Sequence, residues 1–204
     1  MTGSAPDILV VDYGMGNLRN VARALERAGA RPRVSMDPGE VLRSGRLVVP
    51  GVGALGDAMS SLEERGLAAA IRERILDGRP YLGICVGLQI LLEEGEEGRA
   101  RCLGLIPGKV VRFPESSNLP VPHMGWNAVK ATQPHPVLRD GFFYFVHGYR
   151  PCWVPDECVL ASTDYGEVFP SALGFDACLA VQFHHEKSQR AGLALLERFC
   201  GWSP

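Results

Sequence analysis

Residues able to break a covalent bond concentrate in three short segments of this sequence. The sharpest is Gly83-Ile84-Cys85-Val86-Gly87, a cysteine between glycines that follows an apolar run and precedes a helix expected to start near Gly87. This is the form of a nucleophile elbow, in which a strained strand-to-helix turn exposes the nucleophile and the glycines leave room for the tight backbone. A thiolate there lies at a helix N-terminus, whose unpaired N–H groups favour the reactive anion. Alone, the segment reads first as a small buried cysteine in a glycine-bounded turn. The second segment is Phe183-His184-His185-Glu186, after the strand-like run Leu179 to Phe183. Residues two apart on extended backbone point to one side, so Glu186 can hold His184 in the tautomer that a general base needs. Adjacent histidines face opposite ways and rarely share one ion, so no metal site is expected. The third segment, Pro50-Gly51-Val52-Gly53, can aim backbone N–H groups at a developing oxyanion. Taken singly, a histidine pair, a charge near a helix start and a Pro-Gly turn are all ordinary. All three segments, however, fall at the carboxyl ends of predicted parallel strands, where open α/β sheets hold their ligands.

Those strands and the helices between them follow from spacing. Ile8-Leu9-Val10-Val11 is a short apolar run of the kind buried on both faces of a sheet, and the loop Gly14-Met15-Gly16 follows it. Leu18, Val21, Ala22 and Leu25 then recur with helical period, with Asn17 placed as the cap and Gly29 as the stop. The pattern repeats with Leu47-Val48-Val49 as a strand, Leu67, Ala70, Ile71 and Ile75 as a helix ending at Gly78, and Tyr81 to Ile84 as another strand. Such alternation predicts a parallel sheet. From Lys109 to Phe183 helical spacing fades into strand-like pieces at 109–112, 142–146, 159–163 and 179–183, which predict antiparallel additions. A last amphipathic helix carries Ala191, Leu195 and Phe199 and closes before Gly201.

At 204 residues, one domain is expected, with about residues 1–6 as a flexible leader. The composition, 46% hydrophobic and 22% charged, is that of an ordinary globular chain. Twenty-one basic against 23 acidic residues gives a net charge of −2 without long like-charge runs, which argues against nucleic-acid or anionic-membrane partners. Six cysteines without a C-x-x-C pair suit reduced thiols in the cytoplasm. The longest apolar stretch, Leu82 to Leu92, is interrupted by Gly83, Gly87 and Gln89 and falls well short of the roughly 20 residues of a membrane span. Gly14-Met15-Gly16 lacks the third glycine of a dinucleotide fingerprint, since Arg19 stands there, and no cofactor is expected. The segment Pro122 to Asn127 mixes His123 and Trp126 with polar groups and reads as a loop, either an interface anchor or a half-buried structural piece.

Together these motifs resemble the class I glutamine amidotransferases. The segments Asp12 to Asn17, Pro122 to Asn127 and Tyr144 to Tyr149 narrow the resemblance to the glutaminase subunits of imidazole glycerol phosphate synthase, over about Ile8 to the last helix. The resemblance implies a flavodoxin-like, three-layer α/β fold with a mainly parallel sheet and helices on both faces. It implies hydrolysis of glutamine and delivery of the ammonia to a cyclase subunit, in a heterodimer serving histidine biosynthesis. Cys85 would be the nucleophile, His184 the general base and acid, and Glu186 its orienting partner. Val86 would supply one oxyanion N–H and Val52 or Gly53 the second. Glutamine would lie near Gln89, Glu97 and His147-Gly148-Tyr149, with Glu96 as an alternative carboxylate in a run that otherwise reads as a solvated helix end. His123, Met124, Trp126, Asn127 and Asn17 would face the cyclase. The sequence departs from the family pattern with His185 for proline, Gly148 for Ser or Thr, and Val86 for Leu. The first departure is expected to loosen the turn that places Glu186, and the second removes a hydroxyl from the substrate's surroundings. Competing readings are a glutaminase of another synthase, a cysteine hydrolase on the same scaffold, and a non-catalytic binding subunit.

Overall fold

A computed structural model describes residues 5–114 and 119–204. Of the expected leader, residues 1–4 lie outside the described residues, and the Pro6 carbonyl accepts from the Arg31 N–H at 2.9 Å. The first half runs β1 (Asp7–Val11), α1 (Leu18–Arg27), β2 (Arg31–Ser35), α2 (Pro38–Arg43), β3 (Leu47–Gly51), α3 (Leu55–Glu64), α4 (Leu67–Leu76), β4 (Tyr81–Cys85) and α5 (Val86–Gln89). The second runs β5 (Glu94–Gly95), β6 (Ala100–Arg101), β7 (Lys109–Arg112), β8 (His123–Ala131), β9 (Gly141–His147), β10 (Tyr149–Cys152), β11 (Val159–Asp164), β12 (Val168–Phe175), β13 (Cys178–Val181) and α6 (Gln189–Gly201).

The main sheet has the order β2-β1-β3-β4-β13-β12-β11-β8-β9, and β10-β7-β5-β6 form a small second sheet. Strands from β2 to β13 are parallel and those from β13 to β9 are paired antiparallel, so the antiparallel part equals the parallel part in number of pairings among the described residues. The apolar runs of β3, β4 and β13 are buried throughout, as strands covered on both faces must be. The chain steps outward from β1 to β2 and then back across to β3 and β4. Right-handed crossovers therefore place α1 on one face and α2 to α4 on the other. In agreement, α1 packs with α6, while α2 and α3 pack with α4. The reversal between β1 and β3 is a topological switch point, and the loops after β1, β3 and β4 meet at its carboxyl side.

Several local expectations change. Pro50 and Gly51 continue β3 rather than turning, because Gly51 pairs with Cys85 of β4. The segment expected as a loop at 122–127 is most of strand β8, paired residue for residue with β9 from His123↔His147 to Val129↔Gly141. Only His123 and Val129 of β8 are buried, so it carries no alternating apolar signal. In the ladder, β8 pairs with β11 at Lys130 and Ala131. The acidic run 93–97 is no solvated helix end. Glu93 accepts from the Gly108 N–H at 3.0 Å, Glu96 from Arg112 at 2.9 Å, and Glu97 from Leu55 at 2.8 Å, where it caps α3.

Candidate active site

Cys85 ends β4 with φ 56° and ψ −105°, a left-handed geometry that a side-chain-bearing residue adopts only under constraint. The constraint comes from the flanking glycines. A Cβ at Gly83 would run into the Gly87 carbonyl, and one at Gly87 into the Val49 carbonyl of β3. The Tyr81 hydroxyl, donating to the Gly87 oxygen at 2.7 Å, pins the same turn. The helix that follows starts at Val86, one residue before the expected Gly87, and is a single turn ending at Gln89. Its macrodipole is correspondingly small, so stabilisation of a Cys85 thiolate falls to neighbouring side chains.

Those side chains come from the end of β13, which runs parallel to β4 with Val181 opposite Ile84. His184 is buried, and its Nδ1 lies 2.9 Å from Glu186 Oε1. Burial disfavours the charged form of His184, but hydrogen bonds to Cys85 and Glu186 outweigh it and push its pKa up. Burial acts upward on Glu186, and the bond from His184, with its charge, holds it well below the usual carboxylate range. Cys85, His184 and Glu186 thus form one charge-coupled series. The His184 main chain is fixed as well: its N–H donates to the Tyr144 carbonyl of β9 at 2.9 Å, while the Tyr144 N–H donates to Ser188 Oγ at 2.9 Å.

The turn around Glu186 is not loosened by His185. Ser188 Oγ donates to the His184 carbonyl at 2.6 Å, and the Ser188 N–H donates to the His185 carbonyl at 3.0 Å. Gly192 of α6 packs so closely that any Cβ there would strike the His185 carbonyl. Backbone packing supplies the restraint a proline would otherwise give. The His185 imidazole points away from the cavity, with both nitrogens without a hydrogen-bond partner and Nδ1 3.5 Å from Glu186 Oε2.

A cavity of about 390 Å³ opens over Cys85 and is lined by His184, Glu186, Val86, Val52, Gly53, Gln89, Glu97 and His147 to Tyr149. All the residues expected at the catalytic, oxyanion and substrate positions therefore meet in one space, and Glu97 rather than Glu96 faces it. Gly148 would accept a side chain, whose Cβ would meet only Val121 and Pro122 at 3.8–3.9 Å, so the missing hydroxyl leaves open space. Asn17 stands on the same wall, with its Oδ1 accepting from the Asn20 N–H at 3.3 Å to cap α1.

The residues expected at a partner face divide. Met124 and Trp126 are exposed on β8, with Phe142 exposed on the neighbouring β9. In the β8–β9 register Trp126 lies opposite Tyr144, their rings edge-on at 5.9 Å. His123 instead points inward. It is stacked between Phe145 and Tyr165, with ring centroids at 4.7 and 3.8 Å, and its Nδ1 is 3.2 Å from His147 Nε2. Asn127 is also committed inside, its amide nitrogen donating to the Asp164 carbonyl at 2.8 Å and lying 3.3 Å from His123 Nε2. Because the His147 Nδ1–H is directed at the Tyr149 carbonyl at 2.8 Å, His147 Nε2 is the acceptor and His123 Nδ1–H the donor.

The three buried neutral histidines predict acid lability. Burial lowers the pKa of His123 to about 4, that of His147 to about 3 and that of His185 to about 4, from 6.5. The unfolded chain takes up protons at these positions first, so stability present above pH 6.5 is lost as pH falls toward 4. The Tm of the chain is expected to drop by several degrees between pH 6.5 and 5; a Tm constant over that interval, followed by circular dichroism, contradicts the neutral assignment.

Sequence reasoning missed Gln182. It is fully buried, and its amide nitrogen lies 3.6 Å from Cys85 Sγ. The signal was present as the single amide in the otherwise apolar run Leu179 to Phe183. Tyr13 was also passed over; its buried hydroxyl has no hydrogen-bond partner and would lie 2.6 Å from a Cβ at Gly51.

The chain is similar to known proteins over nearly its whole length. It is 46% identical over 211 residues to the imidazole glycerol phosphate synthase subunit HisH of Methylococcus capsulatus, covering 97% of each chain. It is 48% identical over 194 residues to the protein of that name from Symbiobacterium thermophilum, covering 93% of this chain and 91% of that one. Among solved structures it resembles PurLQS from Thermotoga maritima with a TM-score of 0.75 at 18% identity, covering 97% of this chain and 98% of that chain. A crystal structure of a glutamine amidotransferase gives 0.74 at 20% identity, over 95% of this chain and 99% of that chain. Residues 9–201 match the glutamine amidotransferase class-I family, and the chain belongs to that family.

Proposed function

We propose that this chain is the glutaminase subunit of imidazole glycerol phosphate synthase, a single amidotransferase domain that works in the cytoplasm with a cyclase subunit in histidine biosynthesis. The observation that carries the reading is the convergence of Cys85, the His184–Glu186 pair and a cavity large enough for an amino acid at the carboxyl ends of β4 and β13. Relatives matching nearly the whole chain bear the name of that subunit. The cysteines of the described residues are all free, as a reducing compartment requires. No helix among the described residues is long and apolar enough to cross a membrane.

The chemistry follows from the positions. Thiolate attack by Cys85 on the side-chain carboxamide carbon of glutamine pushes the carbonyl electrons onto oxygen. The N–H of Val86, immediately after the nucleophile, and that of Val52 or Gly53 receive this oxyanion. His184, protonated and oriented by Glu186, gives its proton to the departing nitrogen, and ammonia leaves as the C–N bond breaks. Water then attacks the glutamyl thioester as His184 takes the water's proton; the C–S bond breaks, its electrons return to Cys85 as the thiolate, and glutamate is released. Glu97 holds the substrate ammonium with the oxygen not used on Leu55, while Gln89 and His147 to Tyr149 form the remaining wall. Ammonia that escaped to bulk water would be protonated and lost as a nucleophile, which makes a directly docked cyclase the efficient acceptor. The exposed apolar face of Met124, Trp126 and Phe142 is a suitable docking surface.

The test is glutamate release from glutamine by the purified chain, alone and then with the cyclase subunit and its nucleotide ligand. Activity that appears mainly in the liganded complex supports the assignment, and activity indifferent to the cyclase assigns the chain to another synthase or to free hydrolysis. Trp126→Ala is expected to weaken binding to the cyclase by about 30-fold or more, the effect of removing a buried aromatic anchor; titration calorimetry that finds unchanged affinity moves the docking face elsewhere.

A further inference from the structure

The reaction above leaves one polar group at the nucleophile unused, the side-chain amide of Gln182. Gln182 and His184 lie just past the end of β13 and Glu186 in the 3-10 turn His185–Lys187 that follows, and this turn rather than strand alternation brings Glu186 back to His184. The Gln182 amide nitrogen contacts Cys85 Sγ at 3.6 Å, and its oxygen accepts from Gln89 Nε2 at 3.2 Å. Gln89 Nε2 also donates to the Tyr149 main-chain carbonyl at 3.3 Å.

The direction of this chain of amides is determined by its far end. A main-chain carbonyl can only accept, so Tyr149 fixes the NH2 end of Gln89. The second hydrogen of that NH2 needs an acceptor, which turns the Gln182 oxygen toward Gln89. The NH2 of Gln182 is left for the sulfur. Flipping either amide would set two donors, or two acceptors, against each other in a buried space.

We propose that Gln182 is a further catalytic residue, whose amide N–H donates to the sulfur of Cys85 and favours the thiolate, held in that orientation by Gln89 and Tyr149. The proposal rests on Cys85 being the nucleophile. Cys85, 5% exposed, is reached by solvent only from the cavity, and a hydrogen bond to a charged group is about twice as strong as one between neutral groups. His184 supports the thiolate as a cation, and Gln182 as a second, neutral donor that never gives up its proton. The donor therefore stays in place after His184 has transferred its proton to ammonia. The other ionisable groups about the cavity are Glu186 behind His184, Glu97, His147, Tyr149 and Lys187, with Tyr13 from the loop after β1 also coupled to the sulfur.

The test is the rate constant for alkylation of Cys85 by iodoacetamide, located by peptide mass, from pH 5.5 to 9.5 in the full chain and in Gln182→Met and Gln182→Glu variants. With methionine, which keeps the volume and removes both hydrogen bonds, alkylation at pH 7 is expected to slow about tenfold and to rejoin the wild-type rate at alkaline pH. With glutamate, which keeps the shape and the bond from Gln89 but turns an oxygen to the sulfur, it is expected to be slower still at pH 7. A purely packing role makes glutamate the milder change, so a Gln182→Glu chain alkylated at the wild-type rate at pH 7 overturns the proposal, even where methionine disturbs folding. A wild-type Cys85 that reacts no faster than the other five cysteines overturns the nucleophile assignment itself, independently of Gln182.

Discussion

Cys85→Ala is expected to reduce glutamate release by on the order of 10⁴-fold or more, since removing one member of a nucleophile–base–acid set disables the set as a unit. The sulfur is the only nucleophile at the elbow, and alanine leaves the His184 imidazole beside a methyl group with no proton to exchange. Gln182 and His184 lose their contact with the sulfur, but the rest of the cavity is retained. Gly83 and Gly87 still permit the turn, the His184–Glu186 bond of 2.9 Å does not depend on the sulfur, and Gln89, Glu97 and His147 still line the wall. Glutamine binding is therefore expected to persist in the variant, detectable by calorimetry, while an electrophilic glutamine analogue modifies wild-type Cys85 and leaves the variant untouched. Turnover comparable to wild type in Cys85→Ala refutes the covalent route. Loss of binding together with turnover points to a collapsed cavity.

The second large effect is structural and falls on a residue with no side chain. Gly87→Ala places a methyl group on the carbonyl of Val49, main chain in the central strand β3, where no flexible side chain can move aside. Either β3 and β4 separate or the turn at Cys85 opens. Overpacking against main chain is expected to cost about 3 kcal/mol or more, which for a chain of this size lowers Tm by roughly 6–12 °C. Activity is expected to fall beyond what the loss of folded protein explains, because the displaced turn carries Cys85 and the N–H of Val86. Gly45→Ala is the matched control. A Cβ at Gly45 has nothing within 4 Å, and its φ lies outside the left-handed region, so that change is expected to leave Tm within about a degree of wild type. Equal melting of the two variants by scanning calorimetry contradicts the close approach of β3 to the turn.

Legibility of the fold in the sequence follows burial. β1, β3 and β4 announce themselves as unbroken apolar runs because a strand covered on both faces has no polar side to interrupt it. β8 does not, since of its nine residues only His123 and Val129 are buried and the exposed Met124 and Trp126 blur the alternation. β2, with the pattern Arg-Pro-Arg-Val-Ser at the sheet edge, gives no strand signal for the same reason. At the site, Cys85 and the His184–Glu186 pair are readable because tight turns and alternate spacing leave marks in short stretches of sequence. The inward aim of His123 is unreadable, because Phe145 and Tyr165 come to it from distant strands. Glu97 illustrates a third case: its place on the cavity wall depends on Leu55, forty-two residues earlier, whose N–H it caps.

The hydrogen bond between the Tyr144 carbonyl and the His184 N–H has a mechanical consequence. β9 presents Tyr144 beside Trp126 on the outer face and, at the same residue, suspends the backbone of His184. The hairpin that carries both is paired with β11 at Lys130 and Ala131 and is held nearer its other end by the Asn127 bond to the Asp164 carbonyl and by the stacking of His123 on Tyr165. A displacement of β9 at Tyr144 reaches the His184 N–H across a single hydrogen bond. The exposed ring of Trp126 and the backbone of His184 are then joined through the single residue Tyr144, with no relay of packed side chains between them.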